Sequence, residues 1–203
     1  MSKDKIKTIV FDICDVVWDL TPSRNEFYTE VSQIFHQDLF SVMEDFLKVY
    51  QQLQLNQMTL RDWFEQKGVN YSQKQINNLI EAIYQDDKFM GYFNQEVIDL
   101  ISELRRFCQV GCLSNIENFL GKYFEKHFNP LFDYTIFSYN IGHRKPEIEA
   151  YQEIFKKINC SPEEVVFIDD KERNLIPARQ TGFNCLLYTN SAQLKTDLEE
   201  FLL

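Results

Sequence analysis

The sequence predicts an α/β protein with a parallel sheet and a small helical domain inserted near its N-terminus. Short apolar runs rich in β-branched residues alternate with helical patterns along most of the chain, as is typical of parallel strands covered by helices on both faces. The alternation breaks between residues 21 and 92, where helical periodicity continues without a convincing strand. A chain of 203 residues is long enough for one substantial core and one small additional domain.

The individual elements follow from these patterns. Five apolar runs are predicted as strands, at residues 6–11, 110–113, 134–137, 165–168 and 184–188. Helical patterns lie between and after them, at residues 96–107, 117–127, 146–158, 172–181 and 191–202. The interruption contains four further predicted helices, at residues 26–35, 39–53, 59–66 and 72–84. We therefore assign residues 1–17 and 93–203 to the α/β core and residues 18–92 to the inserted helical domain.

Composition excludes several classes of protein. The net charge of −10 argues against nucleic-acid binding, because phosphate contacts require clustered Lys and Arg. No apolar run approaches the length of a membrane span, and we find no signal peptide. The five cysteines are scattered and lack the paired spacing of a zinc site. We therefore expect a cytoplasmic protein with reduced thiols, no membrane partner and no nucleic-acid partner.

Polar residues follow four of the predicted strands. Asp12 ends the first, Ser114 the second and Asp169-Asp170 a later one, while Lys145 follows the run at 134–137. Ligands bind beyond the carboxyl ends of the strands in open α/β sheets, so these side chains are expected to converge. Carboxylates from two strand ends are suitable ligands for a Mg²⁺ ion whose other ligands are water and substrate phosphate. The lysine and the hydroxyl are suited to bind the remaining phosphoryl oxygens. A carboxylate in such a site is able to attack phosphorus covalently.

These segments resemble the four motifs of the haloacid dehalogenase superfamily. The matching stretches are IVFDICDVV (residues 9–17), CLSN (112–115), GHRKPE (142–147) and VVFIDDKERN (165–174). The last two look most like those of sugar-1-phosphate phosphatases and of the phosphatase domain of epoxide hydrolases. The resemblance implies a Rossmann-like core with a helical cap domain inserted after the first motif, in agreement with the break in alternation.

The resemblance also implies roles for individual residues. Asp12 is expected to be the nucleophile, with Ser114 and Lys145 completing the catalytic set and Asn115 also binding substrate. Mg²⁺ is expected on Asp12, the backbone carbonyl of Cys14 and Asp170. Asp169 is expected either to bind the metal directly, to contact its ligands from the second coordination sphere, or to be the N-cap of the following helix.

The cap offers one candidate for recognition of a small phosphorylated metabolite. Arg24 is the cation near its first helix, and we expect it to reach the distal part of the substrate. A solvent-exposed arginine is the alternative. The sequence leaves open whether the protein is a monomer or a homodimer.

Cys14 departs from the family pattern, which normally has an acid/base Asp two residues after the nucleophile. Three interpretations remain: a phosphatase with a good leaving group, a dehalogenase, and a weakly catalytic or non-catalytic binding protein. Asp169 and Asp170 favour phosphate chemistry over dehalogenation, because dehalogenases need no metal and lack this acidic pair. We therefore predict a Mg²⁺-dependent hydrolase of a small phosphate monoester, such as a sugar phosphate, that acts through an aspartyl-phosphate.

Overall fold

The computed structural model describes residues 6–83, 92–128 and 130–202. Its centre is a five-stranded parallel sheet in the order β3-β2-β1-β4-β5. The strands are β1 (Thr8–Phe11), β2 (Gln109–Ser114), β3 (Tyr134–Phe137), β4 (Val165–Asp169) and β5 (Asn184–Leu187). The first strand lies in the middle, so later strands are added on both of its sides. The carboxyl end of β1 is therefore the position at which open sheets bind ligands.

The helices of the inserted segment come first along the chain. They are α1 (Thr21–Phe35), α2 (Leu39–Gln54), α3 (Leu60–Gln66) and α4 (Gln73–Ile83). The remaining helices are α5 (Gln95–Leu104), α6 (Asn118–Phe128), α7 (Ser138–Ile141), α8 (Ile148–Phe155), α9 (Glu172–Gln180) and α10 (Ser191–Leu202). A short 3₁₀ turn, Pro162–Glu164, precedes β4. The α/β architecture predicted from the sequence is thus confirmed.

The sheet buries both of its faces, as its apolar strands require. In β1, Ile9 and Phe11 belong to one hydrophobic cluster and Val10 to another, which follows from the two-residue alternation of a strand. Helices α5, α6 and α10 contribute to the first cluster, and α8 and α9 to the second. This double burial fixes the positions of the strand ends.

Aromatic side chains form the interior of the helical segment and join it to the first of these clusters. Phe27, Phe46 and Trp63 are all buried, and the rings of Phe46 and Trp63 meet edge to face with centroids 5.3 Å apart. Thr59 and Asp62 form a capping box at the start of α3, which satisfies backbone N–H groups that the helix leaves unpaired. No strand occurs within residues 21–83, in agreement with the helical prediction.

Several boundaries differ from those predicted. Helix α1 begins five residues early, at Thr21, because Pro22 occupies a position in the first turn where its missing N–H costs nothing. The turn α7 was missed, since four residues ended by Gly142 in a left-handed conformation are too few to show periodicity. Predicted helix 146–158 is shortened to α8 at both ends. The last residue of predicted helix 72–84 lies outside the described residues.

The two ends of the inserted segment meet beside the first motif. Trp18 forms backbone bridges with both Cys14 and Phe93. The Asn94 N–H donates to the Val17 carbonyl at 2.9 Å. We propose this junction as the boundary between the core, residues 1–17 and 93–203, and the cap, residues 18–92.

Candidate active site

The candidate site is centred on Asp12, directly after β1. Its backbone N–H donates to the Ile168 carbonyl at 2.8 Å, which extends the pairing of β1 with β4 by one residue. The side-chain Oδ1 accepts hydrogen bonds from the Ile13 N–H at 2.7 Å and from the Ser114 hydroxyl at 2.8 Å. Asp12 is only 4% exposed. Two strand ends therefore hold one carboxylate oxygen in a defined orientation.

Lys145 provides the positive charge of the site. Its Nζ lies 3.0 Å from Asp12 Oδ2 and 2.6 Å from Asp169 Oδ2, and the residue is 1% exposed. Asn115 holds the backbone of this lysine on both sides. Its Oδ1 accepts from the Lys145 N–H at 2.8 Å, and its Nδ2 donates to the Lys145 carbonyl at 2.7 Å.

Asp169 is surrounded by donors from the protein itself. Its Oδ1 accepts from the Lys171 N–H at 2.9 Å and from Asn174 Nδ2 at 2.9 Å, while Oδ2 faces Lys145. The N-cap position of α9 is Lys171 rather than Asp169. These contacts fix the Asp169 carboxylate in a position from which it orients the Lys145 side chain.

The charges of Asp12 and Lys145 depend on each other. Burial raises the pKa of Asp12 to about 6, although the nearby Lys145 opposes that rise. Burial alone would lower the pKa of Lys145, but Asp12 and Asp169 outweigh it and raise the pKa above its ordinary value. Both groups are therefore charged at neutral pH.

The donor set fits a hard divalent cation. Carboxylate oxygens of Asp12, Asp169 and Asp170 lie within 4.8 Å of one another, and oxygen ligands are those that Mg²⁺ prefers. Asp170 is half-buried, and its two oxygens accept hydrogen bonds from Lys171 Nζ at 3.0 and 2.7 Å. The Lys171 side chain is 38% exposed, so Asp170 is less enclosed by the protein than Asp169.

Cys14 faces the same centre. Its Sγ lies 3.6 Å from the Ser114 hydroxyl and 3.9 Å from the Asn115 carbonyl. Burial raises the pKa of this thiol to about 12, and the charge of Asp12 acts in the same direction. The thiol thus keeps its proton at neutral pH and is a very weak acid.

Arg24 is not a solvent-exposed arginine. It is half-buried, and its guanidinium donates to the Tyr50 hydroxyl at 2.7 Å. Glu117 lies beside this pair, and Tyr50 and Arg24 both act electrostatically on its carboxyl group. Glu117 is 1% exposed, and burial raises its pKa against the opposing influence of Arg24.

Three residues of this part of the site were missed by sequence reasoning, namely Tyr50, Gln54 and Glu117. The first two read as ordinary positions of an amphipathic helix. Glu117 read as an acidic residue at the start of a helix, which is a common surface feature. The available signal was its position three residues after Ser114.

Comparison with known proteins identifies the family. A family model of haloacid dehalogenase-like hydrolases matches residues 6–182. This chain therefore belongs to the haloacid dehalogenase-like hydrolases, and the predicted relationship is confirmed.

Individual relatives agree with this assignment. The chain is 25% identical to a D-ribitol-5-phosphate phosphatase of Bacteroides thetaiotaomicron, over 97% of this chain and 98% of that one. It is 39% identical to mouse bifunctional epoxide hydrolase 2 over 34% of this chain and 12% of that one. A crystal structure of a family enzyme of B. thetaiotaomicron in complex with magnesium and inorganic phosphate shares the fold. It has 22% identity and a TM-score of 0.70, over 91% of this chain and 94% of that one.

Across the described part of the chain, no helix is long and apolar enough to cross a membrane.

Proposed function

We propose that this protein is a Mg²⁺-dependent phosphatase that hydrolyses a small phosphate monoester through a phosphoryl group on Asp12. The observation that carries the proposal is the convergence of Ser114, at the end of β2, and Lys145, in the loop before α8, on Asp12 at the end of β1, with further carboxylates beside them. In this proposal Asp12, the Cys14 carbonyl and Asp170 hold the metal, while Asp169 primarily positions Lys145. Bound Mg²⁺ would neutralise phosphoryl oxygens and so reduce the repulsion met by an attacking carboxylate.

The protein's own residues account for the first chemical step. The ionised Asp12 attacks phosphorus, the bond from phosphorus to the leaving oxygen breaks, and its electron pair stays with that oxygen. In this proposal the Ser114 hydroxyl binds the phosphoryl group, and Asn115 borders it while its side chain holds the Lys145 backbone. Lys145 contributes a fixed positive charge in a site that excludes water, where electrostatic stabilisation is strongest.

The second step releases phosphate. Water attacks the phosphorus of the acyl phosphate, and the bond between phosphorus and the Asp12 oxygen breaks, which regenerates the carboxylate. Cys14 neither donates a proton to the leaving oxygen nor accepts one from the attacking water, because its buried thiol holds its own proton too tightly. The leaving oxygen must therefore take its proton, and the attacking water must lose one, by exchange with solvent or with another group of the site.

A phosphorylated polyol or sugar is the substrate class that we propose. The support is the full-length relationship to D-ribitol-5-phosphate phosphatase and the polar character of the residues around Cys14. A cytoplasmic location is consistent with such a metabolite and remains part of the proposal.

A non-catalytic phosphate-binding protein is the alternative, and Cys14 is the observation that favours it. A panel of phosphate monoesters that includes D-ribitol 5-phosphate, assayed with Mg²⁺ and with EDTA, distinguishes the two. We expect phosphate release that requires Mg²⁺. Binding of Mg²⁺ without turnover of any member of the panel would reject the enzymatic role.

A further inference from the structure

A cluster of buried and half-buried polar side chains lies where the cap meets the core. Its members are Arg24 of α1, Tyr50 and Gln54 of α2, and Glu117 of the loop after β2, and we call them the interdomain polar cluster. Arg24 donates to the Tyr50 hydroxyl at 2.7 Å, and the Glu117 carboxyl lies close enough to both residues for them to affect its pKa. Gln54 Nε2 donates to the Asn115 carbonyl at 3.0 Å. The cluster therefore connects the cap directly to the residue that follows Ser114.

This cluster adjoins the active site through the Asn115 backbone. The carbonyl bound by Gln54 is the same one that lies 3.9 Å from Cys14 Sγ. The charges of Arg24 and Glu117 are near enough to Cys14 to change the pKa of its thiol. In phosphoryl transfer the leaving oxygen departs opposite the attacking one. A group displaced by Asp12 therefore points away from the strand ends and toward the cap.

Two acceptors of the cluster lack hydrogen bonds. Glu117 Oε2 and Gln54 Oε1 are buried without a partner among residues 6–83, 92–128 and 130–202. The two side chains are 1% and 2% exposed, respectively. Buried polar atoms are almost always satisfied in folded proteins, so unpaired acceptors at a ligand site indicate donors on the ligand.

The charges of the cluster indicate which donors these are. The positive Arg24 is already accompanied by the Glu117 carboxylate, so a second anionic group on the substrate is not needed for neutrality. An alkyl chain would bury both acceptors without satisfying them, which is unfavourable. Hydroxyl groups are neutral, donate to carboxylate and amide oxygens, and also accept hydrogen bonds.

We propose that Glu117 and Gln54 bind hydroxyl groups of the leaving group and so make the enzyme selective for phosphate esters of polyhydroxylated alcohols. This inference rests on the proposed phosphatase function. Tyr50 and Arg24 act as positioning residues, because they place a hydroxyl and a positive charge beside the Glu117 carboxyl on the cap side. Selectivity therefore requires that the cap and core be assembled.

Matched substrate pairs test the proposal. D-ribitol 5-phosphate is compared with pentyl phosphate, and glycerol 3-phosphate with propyl phosphate, since each pair differs only in hydroxyl groups. The wild-type enzyme is expected to have the higher kcat/KM for the hydroxylated member in at least one pair. Glu117→Gln and Gln54→Leu should each lower that ratio of kcat/KM values by about tenfold, the usual effect of losing a hydrogen bond to a buried polar group. The exposed Gln52→Leu on the same helix is the matched control and should leave the ratio unchanged.

The opposite results would overturn the proposal. A wild-type preference for the alkyl phosphates, or an equal loss for both members of each pair in the two variants, would mean that the cluster does not read hydroxyl groups. A change in the pH profile of Glu117→Gln for every substrate would assign Glu117 to proton transfer instead.

A binding measurement separates this inference from the proposed function. In an Asp12→Asn background, titration calorimetry with Mg²⁺ compares D-ribitol 5-phosphate with pentyl phosphate, with and without Glu117→Gln. We expect the added substitution to raise the Kd of the polyol phosphate by about tenfold relative to that of pentyl phosphate. If no substrate is turned over but this difference in binding is found, the phosphatase function is wrong and the recognition of hydroxyl groups is upheld. Equal Kd changes for the two ligands reject the inference, whether or not turnover occurs.

Discussion

The core side and the cap side of the site differ in how completely their buried polar atoms are paired. On the core side, the oxygens of Asp12 and Asp169 and the ammonium of Lys145 all have close partners within the protein. On the cap side, Glu117 Oε2 and Gln54 Oε1 have none in the described part of the chain. Glu117 and Gln54 are about as buried as Asp12, Asp169 and Lys145, so exposure does not explain the difference.

This difference in hydrogen bonding indicates that the two sides of the site have different functions. A group that stabilises charge during a reaction works best when it is already held in place, as Lys145 is held between two carboxylates. A group that selects a substrate works by leaving a polar atom unpaired until the correct ligand arrives, because wrong ligands then carry a penalty. The core side thus suits chemistry and the cap side suits selection.

The largest effect is expected from Asp12→Asn. An amide is a poor nucleophile, so kcat should fall by at least about 1,000-fold while the fold is retained. Steady-state kinetics with D-ribitol 5-phosphate, together with circular dichroism, measure the two quantities. Retention of wild-type turnover would place the nucleophile on another residue.

Removing Lys145 should affect stability more than any comparable change on the cap side. Lys145→Met leaves Asp12 and Asp169 buried without their cation, which is expected to lower the free energy of unfolding by about 3–5 kcal/mol. Without Lys145 to oppose the effect of burial, the pKa of Asp12 in the folded variant would rise further above its value in the unfolded chain, so the loss should grow as pH rises and shrink as it falls.

Urea denaturation in metal-free buffer at several pH values measures this loss. Lys171→Met is the matched control, because Lys171 is partly exposed and pairs with Asp170 at 2.7 Å. Its loss should stay within about 1 kcal/mol. Equal losses in the two variants would show that the core-side charges are not mutually dependent.

The smallest of these effects concerns Cys14, which lies between the two sides. Cys14→Asp is expected to raise kcat for D-ribitol 5-phosphate by about tenfold, because Asp12 nearby would keep the new carboxyl protonated and able to protonate the leaving oxygen. Cys14→Ala controls for loss of the thiol. A Cys14→Asp variant no faster than Cys14→Ala would indicate that another group already supplies the proton.

Sequence reasoning predicted the core side far better than the cap side. Asp12, Ser114 and Asp169 end buried strands, and the ends of parallel strands must meet at one edge, so their proximity follows from local pattern and topology. Lys145 was expected there as well, although its simultaneous contact with Asp12 and Asp169 required the structure. The roles assigned to these residues, including metal binding by Asp170, remain predictions.

The cap side was predicted only through Arg24, and its environment was left open. Helical periodicity predicts that one face of a cap helix is buried, but it does not distinguish a buried Tyr or Gln in a core from one at a ligand site. Glu117 was missed for the same reason, because an acidic residue at the start of a predicted helix is typical of the protein surface. The pattern of residues along one segment indicates which positions are buried. The function of a buried polar residue depends on which side chains of other segments it contacts.

The sequence by itself determined the family, the order of strands and helices, and the four polar strand ends, because these are properties of short contiguous segments. Only the tertiary structure showed that residues 24, 50, 54 and 117 form one cluster. These positions are brought together by the packing of α1 and α2 against the core, and no local segment encodes that contact. The physical reason is that hydrophobic packing determines how the cap docks on the core, and this docking determines which buried polar side chains meet.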